Sequence, residues 1–263
     1  MKATWMGTAA AVAMMAAPAM AQENLIGLDY FETTSTRLLA PNQAQAQHAL
    51  SMLDTPFGAP ANQVTLNYGL AETLMVGGGL QTGGENAFNL AVPSYHVGMI
   101  YAPDYARNGW TPALQLQYQG GFNQTLMARG VFSFDAPVVA IGNGVTDRFN
   151  LSTNVLAETP FRDGDGGELV FKYNVGLSYP VWGAAAPDAP EGLGPRALQR
   201  RPESMLRAAL ELKGDLGGAG SHYAIPGVFL SPSETTKLGL GVGLRLAGND
   251  KPLYWQTQVQ LSF

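Results

Sequence analysis

The residues that could perform chemistry in this chain are few and scattered. The histidines are His48, His96 and His222, and the chain has no cysteine. Ser94 and His96 would share one face of a strand, but residues two apart lie roughly 6.5 to 7 Å apart along it. A serine hydrolase needs its hydroxyl within hydrogen-bond reach of the imidazole and a third group that orients the ring. This pair alone is therefore not a catalytic dyad, and His96 is expected to form hydrogen bonds inside the protein.

Two further motifs resemble ligand sites only superficially. The stretch from Asp163 to Glu168 is acidic and rich in glycine, but it lacks the spacing of a twelve-residue calcium loop. The glycines of 77–79 and 239–243 are followed neither by a helix start nor by a Lys-Ser/Thr pair, so they do not form a phosphate cradle. The sequence thus predicts no metal site, no cofactor site and no catalytic residue.

The composition excludes several classes of protein. The 263 residues include 46% apolar and 13% charged residues, with 32 glycines and a net charge of -5. An ordinary soluble domain has about 25% charged residues. The absence of cysteine excludes disulfide frameworks, thiol catalysis and metal centres held by cysteine. The acidic balance argues against nucleic acid as a partner, because phosphate recognition needs clustered Lys and Arg.

The N-terminus has the pattern of a secretory signal. Lys2 is followed by an uncharged stretch with an apolar centre at 9–17, which ends in the small-x-small motif Ala19-Met20-Ala21. Such a segment is removed on export. The sequence predicts a cleaved signal peptide at 1–21 and an exported mature chain that begins near Gln22.

Apolar and polar residues alternate through most of the mature chain. From Glu168 to Val181 every second residue is apolar or aromatic, and from Trp255 to Phe263 the same holds except at Thr257, so one face of each strand is largely apolar. The opposite face carries Gln, Asn, Ser, Thr and Gly, whereas the water-facing side of a soluble sandwich is normally rich in Lys and Glu. A barrel that turns its apolar face to lipid and its polar face to a lumen explains this composition better.

The alternating segments predict an all-β fold, a transmembrane antiparallel up-and-down β-barrel of about 12 strands at 43–263. The predicted strands are 43–54, 62–70, 73–82, 88–101, 110–119, 122–141, 146–158, 168–182, 204–216, 221–231, 235–247 and 252–263. An even number places both termini at the periplasmic side.

The alternation does not decide the placement of two segments. Residues 22–42 are predicted to be periplasmic, to be folded into the lumen or to form an extra strand. The long stretch from Gly183 to Glu203 falls at the periplasmic side. It is either an elaborated turn or the sign of one miscounted strand.

The same alternation predicts which side chains line the lumen. Charges of both signs point inward, together with one amide, and they can pair across the interior. The predicted lining residues are Arg129, Arg148, Lys172, Arg207, Glu211, Lys213, Lys237, Arg245, Glu158 and Gln117. They form either an electrostatic network that braces the barrel or a constriction that selects solutes by charge and size.

Two short hairpins resemble a known group of barrels. The stretch Tyr68 to Gly77 is a strand, a tight acidic turn and a returning strand, and Asn143 to Phe149 repeats this pattern. Both resemble the recurrent hairpin of the meta-pathway phenol-degradation or putative "transporter" family of outer-membrane barrels. The closing stretch from Leu253 to Phe263 is similar to the C-terminal strand of outer-membrane proteins. In those proteins the terminal aromatic residue is an assembly signal. The resemblance covers roughly Gln63 to Phe263 and implies passage of small, aromatic or hydrophobic compounds, without invariant site residues.

Together these observations predict a protein of the cell outer membrane that acts as a passive channel or facilitator. Its expected partners are outer-membrane lipid and a small-molecule solute, and it is not expected to be an enzyme. The alternative is a plugged structural barrel that docks an exported protein partner through Gly183 to Glu203. A membrane-embedded hydrolase that uses Ser94 and His96 is the third hypothesis.

Overall fold

The computed structural model describes the chain from Tyr30 onward, in ranges separated by short gaps. The described residues are 30–31, 33–36, 38–53, 60–83, 94–103, 109–121, 124–144, 146–162, 165–183, 204–217, 220–233, 235–248 and 253–263. The predicted signal peptide and the whole of 184–203 lie outside them. Within these ranges, no helix is long and apolar enough to cross a membrane.

Almost every described residue after Gln43 belongs to an antiparallel strand. The strands are β1 (Ala44–Leu53), β2 (Pro60–Ala71), β3 (Leu74–Gly83), β4 (Ser94–Tyr101), β5 (Gly109–Gly120), β6 (Gln124–Val139), β7 (Thr146–Arg162), the two-residue β8 (Asp165–Gly166), β9 (Val170–Gly183), β10 (Ser204–Asp215), β11 (His222–Ser233), β12 (Thr236–Ala247) and β13 (Leu253–Ser262). β8 only extends the hairpin beyond β7, so twelve strands form the wall.

The sheet closes on itself as an up-and-down barrel. Successive wall strands pair along the chain, β7 pairs with both β6 and β9, and β1 pairs with β13. A closed ladder leaves no edge of unpaired peptide groups, which hydrocarbon cannot solvate. The prediction of a transmembrane antiparallel barrel of about 12 strands is confirmed.

The two faces of each strand differ as the alternation predicted. Along β13, Gln256, Gln258 and Gln260 are buried inside the barrel, whereas Leu261 is partly exposed on the outside. Most of the large hydrophobic side chains that the barrel exposes are on this outer face. A soluble monomer rarely exposes so large an apolar surface, which here faces the outer membrane.

Aromatic side chains form a belt at each end of the outer face. Trp110 and Trp182 lie at the end of the barrel where β1 begins and β13 ends. The centre of the Trp110 ring is 5.3 Å from that of the Phe134 ring. Tyr173 and Trp255 lie at the opposite end. From Tyr173 to Trp182, β9 rises roughly 30 Å. At a tilt of about 40° this corresponds to about 23 Å across the membrane, close to the apolar band of about 25 Å in such barrels.

The connections agree with the predicted parity of the strands. We call the end that carries Ala44 and Ser262 the terminal end. The β2–β3, β6–β7 and β11–β12 connections lie there and are short, and the turn before β7 uses Gly144 at φ 71°, a conformation that glycine adopts without strain. β9 finishes and β10 begins at this same end, so the segment from 184 to 203 joins two strands there without a miscounted strand.

A charge on the outer face should destabilise the barrel according to its depth. Leu240 is half-exposed near the middle of β12, where an arginine in lipid costs about 2–4 kcal/mol. We expect Leu240→Arg to lower the free energy of unfolding in lipid vesicles by this amount, measured by urea titration. The matched control is Leu246→Arg at the end of the same strand, where the expected cost is about 0–1 kcal/mol. Equal effects at both positions would contradict a membrane-embedded outer face.

Candidate functional site

The interior of the barrel contains a segment of the chain's own N-terminus. We call residues 30–40 the lumenal segment, of which Glu32 and Arg37 lie outside the described residues. The Tyr30 hydroxyl lies 2.6 Å from Oδ1 of Asn150 and 3.0 Å from the carbonyl oxygen of Gly176. Both partners belong to the barrel wall, on β7 and β9. The described residues of this segment therefore lie inside the lumen.

A buried carboxylate holds the backbone of the lumenal segment. Glu211 is fully buried, and its Oε1 accepts a hydrogen bond from the Phe31 N–H at 2.6 Å. Its Oε2 accepts one from the Thr33 N–H at 2.7 Å. Hydrogen bonds to an ionised acceptor are short and roughly twice as strong as neutral ones. Glu211 thus fixes two nearby peptide groups that an extended chain would otherwise leave without partners.

Amide and hydroxyl side chains of the wall hold the next residues of the segment, Thr34 to Thr36. The Thr34 N–H donates to Oδ1 of Asn154 at 2.7 Å, and Nδ2 of Asn154 donates back to the Thr34 carbonyl at 2.8 Å. The Thr36 N–H donates to Oγ of Ser133 at 2.9 Å. These bonds replace the ladder that a strand would provide, because buried peptide groups need partners.

Inward-facing glycines make room for the Phe31 ring. This ring stacks on Phe229 with centroids 4.7 Å apart. A Cβ on Gly227 would lie 2.5 Å from the ring, and one on Gly241 would lie 2.7 Å from it. Real Cβ atoms do not approach so closely, so larger residues at these positions would displace Phe31. The glycines relieve crowding, and the group they accommodate belongs to the lumenal segment.

The segment leaves the lumen through an apolar cluster. Leu38 and Leu39 pack among buried side chains of β3 to β6 near the terminal end. The other members are Met75, Ile100, Ala102, Ala113 and Val131. After the cluster, the Asn42 N–H donates to the Gly69 carbonyl at 2.9 Å, which aligns the chain for β1.

Two of the predicted lining residues, Arg207 and Arg148, belong to a buried polar cluster on one wall. Arg207 is buried, and its Nη1 lies 2.9 Å from Oδ2 of Asp147. The same guanidinium donates to Oγ of Ser178 at 3.0 Å and to the Arg148 carbonyl at 2.6 Å. Arg148 therefore contributes its backbone oxygen here. The sequence reasoning missed Asp147, because it lies beside the turn, where strict alternation fails.

The other predicted charges lie along the same interior. Nζ of Lys172 is 2.5 Å from Oε2 of Glu158, and this pair is partly exposed to the lumen. Arg129 donates to the Thr34 hydroxyl. Lys213 lies above the Tyr254 ring, 5.0 Å from its centroid. Lys237 and Arg245 share the inner face of β12 with its glycines.

A cavity of about 140 Å³ lies between the lumenal segment and the opposite wall. Thr34 borders it on one side, and β1 to β5 border it on the other. Among the described residues, its polar lining is uncharged and consists of Thr34, Gln47, Gln63, Thr65, Asn67, His96, Gln115 and Gln117. Of the ten predicted lining residues, Gln117 alone borders this cavity.

The histidines have structural surroundings. His96 faces the cavity, and its Nε2 lies 3.4 Å from Oγ1 of Thr65. His222 begins β11, and its Nδ1 lies 3.0 Å from the Tyr173 hydroxyl. Among the described residues, no group of three or more His, Cys, Asp or Glu side chains could hold a metal. Asp163 of the acidic loop lies outside those residues.

Comparisons with solved structures show the fold. The chain is similar to a KdgM porin, with a TM-score of 0.55 and 10% identity over 83% of this chain and 99% of the porin. It is equally similar to a KdgM porin in complex with disordered oligogalacturonate, with a TM-score of 0.54 and 9% identity over 84% of this chain and 99% of that one. The transport unit of the autotransporter AIDA-I from Escherichia coli has a TM-score of only 0.46. No protein-family model and no curated protein sequence matches the chain.

These similarities establish an outer-membrane β-barrel and nothing finer. The exposed apolar face and the two aromatic belts lead to the same conclusion independently. The chain is an outer-membrane β-barrel. The resemblance to the phenol-degradation family is not shown at this level.

The Arg207–Asp147 and Lys172–Glu158 pairs should differ in their contribution to the free energy of unfolding. Arg207→Met leaves the carboxylate of Asp147 buried without its cation, which costs about 3–5 kcal/mol. Lys172→Met breaks a partly exposed pair, worth about 0–1 kcal/mol. We expect the urea midpoint of the first variant to fall much further than that of the second. Similar midpoints for the two variants would contradict a larger contribution of the buried Arg207–Asp147 pair to stability.

Proposed function

We propose that this protein is a passive outer-membrane channel whose lumen is narrowed by its own N-terminal segment. A single observation carries the proposal: the lumenal segment occupies one side of the barrel while a polar cavity remains beside it. The twelve-strand wall encloses more space than an eight-strand barrel, whose interior is filled by side chains. The lining offers replaceable hydrogen bonds rather than one tight site, as a conducting pathway requires.

Two classes of solute are candidates for this channel. The polar lining of the cavity favours small hydrophilic molecules. The family resemblance implies aromatic or hydrophobic ones, and the apolar side chains of Met75 and Ile100 on the cavity wall favour that class. The KdgM porin complex contains oligogalacturonate; we propose that small-molecule passage is the feature shared with it.

The plugged structural barrel is the second candidate function. The hydrogen bonds that hold Tyr30, Thr33 and Thr34 to the wall favour it, because a permanently bound segment would block conduction. The stretch 184–203, through which an exported partner would dock, lies outside the described residues. The hydrolase hypothesis has less support, since His96 contacts Thr65 and we propose no catalytic role for it.

Loosening the lumenal segment should open the channel. In Glu211→Gln one carboxylate oxygen becomes an NH₂ group, which would face the N–H of Phe31 or Thr33 instead of accepting from it. If the free energy that holds the segment to the wall falls by about 1.4 kcal/mol, the ratio of open to closed channels rises tenfold. We therefore expect at least about a tenfold rise in open probability in planar-bilayer recordings.

The matched control is Glu158→Gln, which removes a lumenal carboxylate that pairs with Lys172 instead of the segment. Its open probability should remain near that of the natural protein. Heat-modifiable migration in gels checks that both variants are folded. Silence of all three proteins would favour the structural barrel, whereas equal conductance of all three would show that the segment does not restrict the pore.

Tethering the segment should have the opposite effect. The hydroxyl of Thr34 lies 3.3 Å from Oε1 of Gln115, and the chain has no natural cysteine. A short bifunctional thiol reagent can therefore join Thr34→Cys and Gln115→Cys without competing sites. We expect the cross-link to reduce the mean conductance and a cleavable reagent to restore it after reduction. An unchanged current in the cross-linked protein would mean that conduction does not require movement of the segment.

A further inference from the structure

The cavity beside the lumenal segment differs chemically from the rest of the lumen. The charged wall lies across the segment, where Arg207, Glu211 and Lys213 belong to β10. The wall of β1 to β5 presents amides, one threonine and one imidazole to the cavity. Arg129 reaches only its edge, through the Thr34 hydroxyl. Among the described residues, the lumenal segment thus separates an ionic part of the interior from a neutral part.

The neutral wall is rich in groups that both donate and accept hydrogen bonds. Nε2 of Gln115 donates to Oε1 of Gln117 at 3.3 Å, and Nε2 of Gln63 donates to Oγ1 of Thr65 at 3.3 Å. Each amide keeps further donors and acceptors beyond these bonds. Hydroxyl groups have the same dual character, so a hydroxyl-rich ligand can satisfy such a wall. An ionic ligand would lose hydration here without gaining a counter-charge.

Glycines keep part of this wall flat. A Cβ on Gly98 would lie 3.2 Å from Cβ of Gln117, and one on Gly77 would collide with Oδ1 of Asn67. The amides therefore lie across strands that have no side chains of their own at these points. Met75 adds an apolar contact to the same cavity. A flat surface with polar edges and an apolar patch complements a sugar ring, which has hydroxyl groups around its rim and C–H groups on its faces.

The size of the cavity agrees with one such ring. A volume of 140 Å³ is close to that of a cavity of about 150 Å³ that holds one benzene ring. The ring of a six-carbon sugar has the same number of members. We propose that this cavity is a binding site for neutral, hydroxyl-rich solutes of monosaccharide size, on the path through the barrel. The inference rests on the proposed channel function and specifies its solute class.

Solute-dependent flux tests the selectivity. Proteoliposomes that contain the full chain are challenged with glucose, glucuronate and phenol, and swelling is recorded. The expected result is entry of glucose at least about tenfold faster than that of glucuronate, a matched acidic sugar. Equal entry of the two sugars, or entry of phenol alone, would overturn the inference while leaving the channel intact.

Reversible block of the ion current by glucose locates the site. Gln117→Leu and Gln63→Leu each remove an amide from the cavity and should weaken the block by about threefold to tenfold. The matched control is Gln119→Leu, which changes the same residue type on the same face of β5, outside the cavity lining. An equal effect of Gln119→Leu would overturn the assignment of the site.

Calorimetry separates failure of the site from failure of the channel. Glucose is titrated into the detergent-solubilised protein and its Gln117→Leu variant, without any requirement for conduction. If the bilayers are silent but glucose binds and the variant weakens it, the site stands and the channel function falls. If the bilayers conduct but glucose neither binds nor blocks, the channel stands and the site falls.

Discussion

The requirement that every peptide group find a partner away from water governs this structure. In the hydrocarbon the wall meets it by closure, through the pairing of β1 with β13 and of β6 with β7. Closure forces successive side chains to opposite faces, which gives one apolar surface and one polar interior. Inside the barrel, the same requirement applies to the lumenal segment, whose described residues do not pair with any strand in a ladder. Its peptide groups are satisfied by side chains of the wall instead.

Glu211 illustrates how the interior satisfies this requirement with an ionised group. A buried carboxylate is costly unless strong donors surround it. The N–H groups of Phe31 and Thr33 supply two such bonds, so the charge and the segment stabilise one another. Arg207 and Asp147 do the same on the neighbouring part of the wall. The charged side of the lumen is thus largely occupied by its own interactions.

The division of the interior follows from this arrangement. The hydrogen bonds of the lumenal segment go mainly to β6, β7, β9 and β10. Leu38 and Leu39 pack against β3 to β6 near the terminal end, and the cavity remains along the rest of β1 to β5. Among the described residues that remaining surface is neutral. Of the two roles that the sequence left open for the charged lining residues, the Arg207–Asp147 and Lys172–Glu158 pairs favour the bracing network. The proposed pathway instead follows glutamines such as Gln63 and Gln117.

The sequence by itself determined the barrel, the number of strands and the inward or outward direction of most side chains. These features depend on a period of two residues, which is local and can be counted, as in Trp255 to Phe263. The tertiary structure alone decided which inward groups meet. The pairing of Arg207 with Asp147 depends on the register of strands that are distant in the chain, and the contact of Glu211 with Phe31 spans most of its length. The lumenal segment has no alternation to predict it, because side chains from many strands hold its backbone.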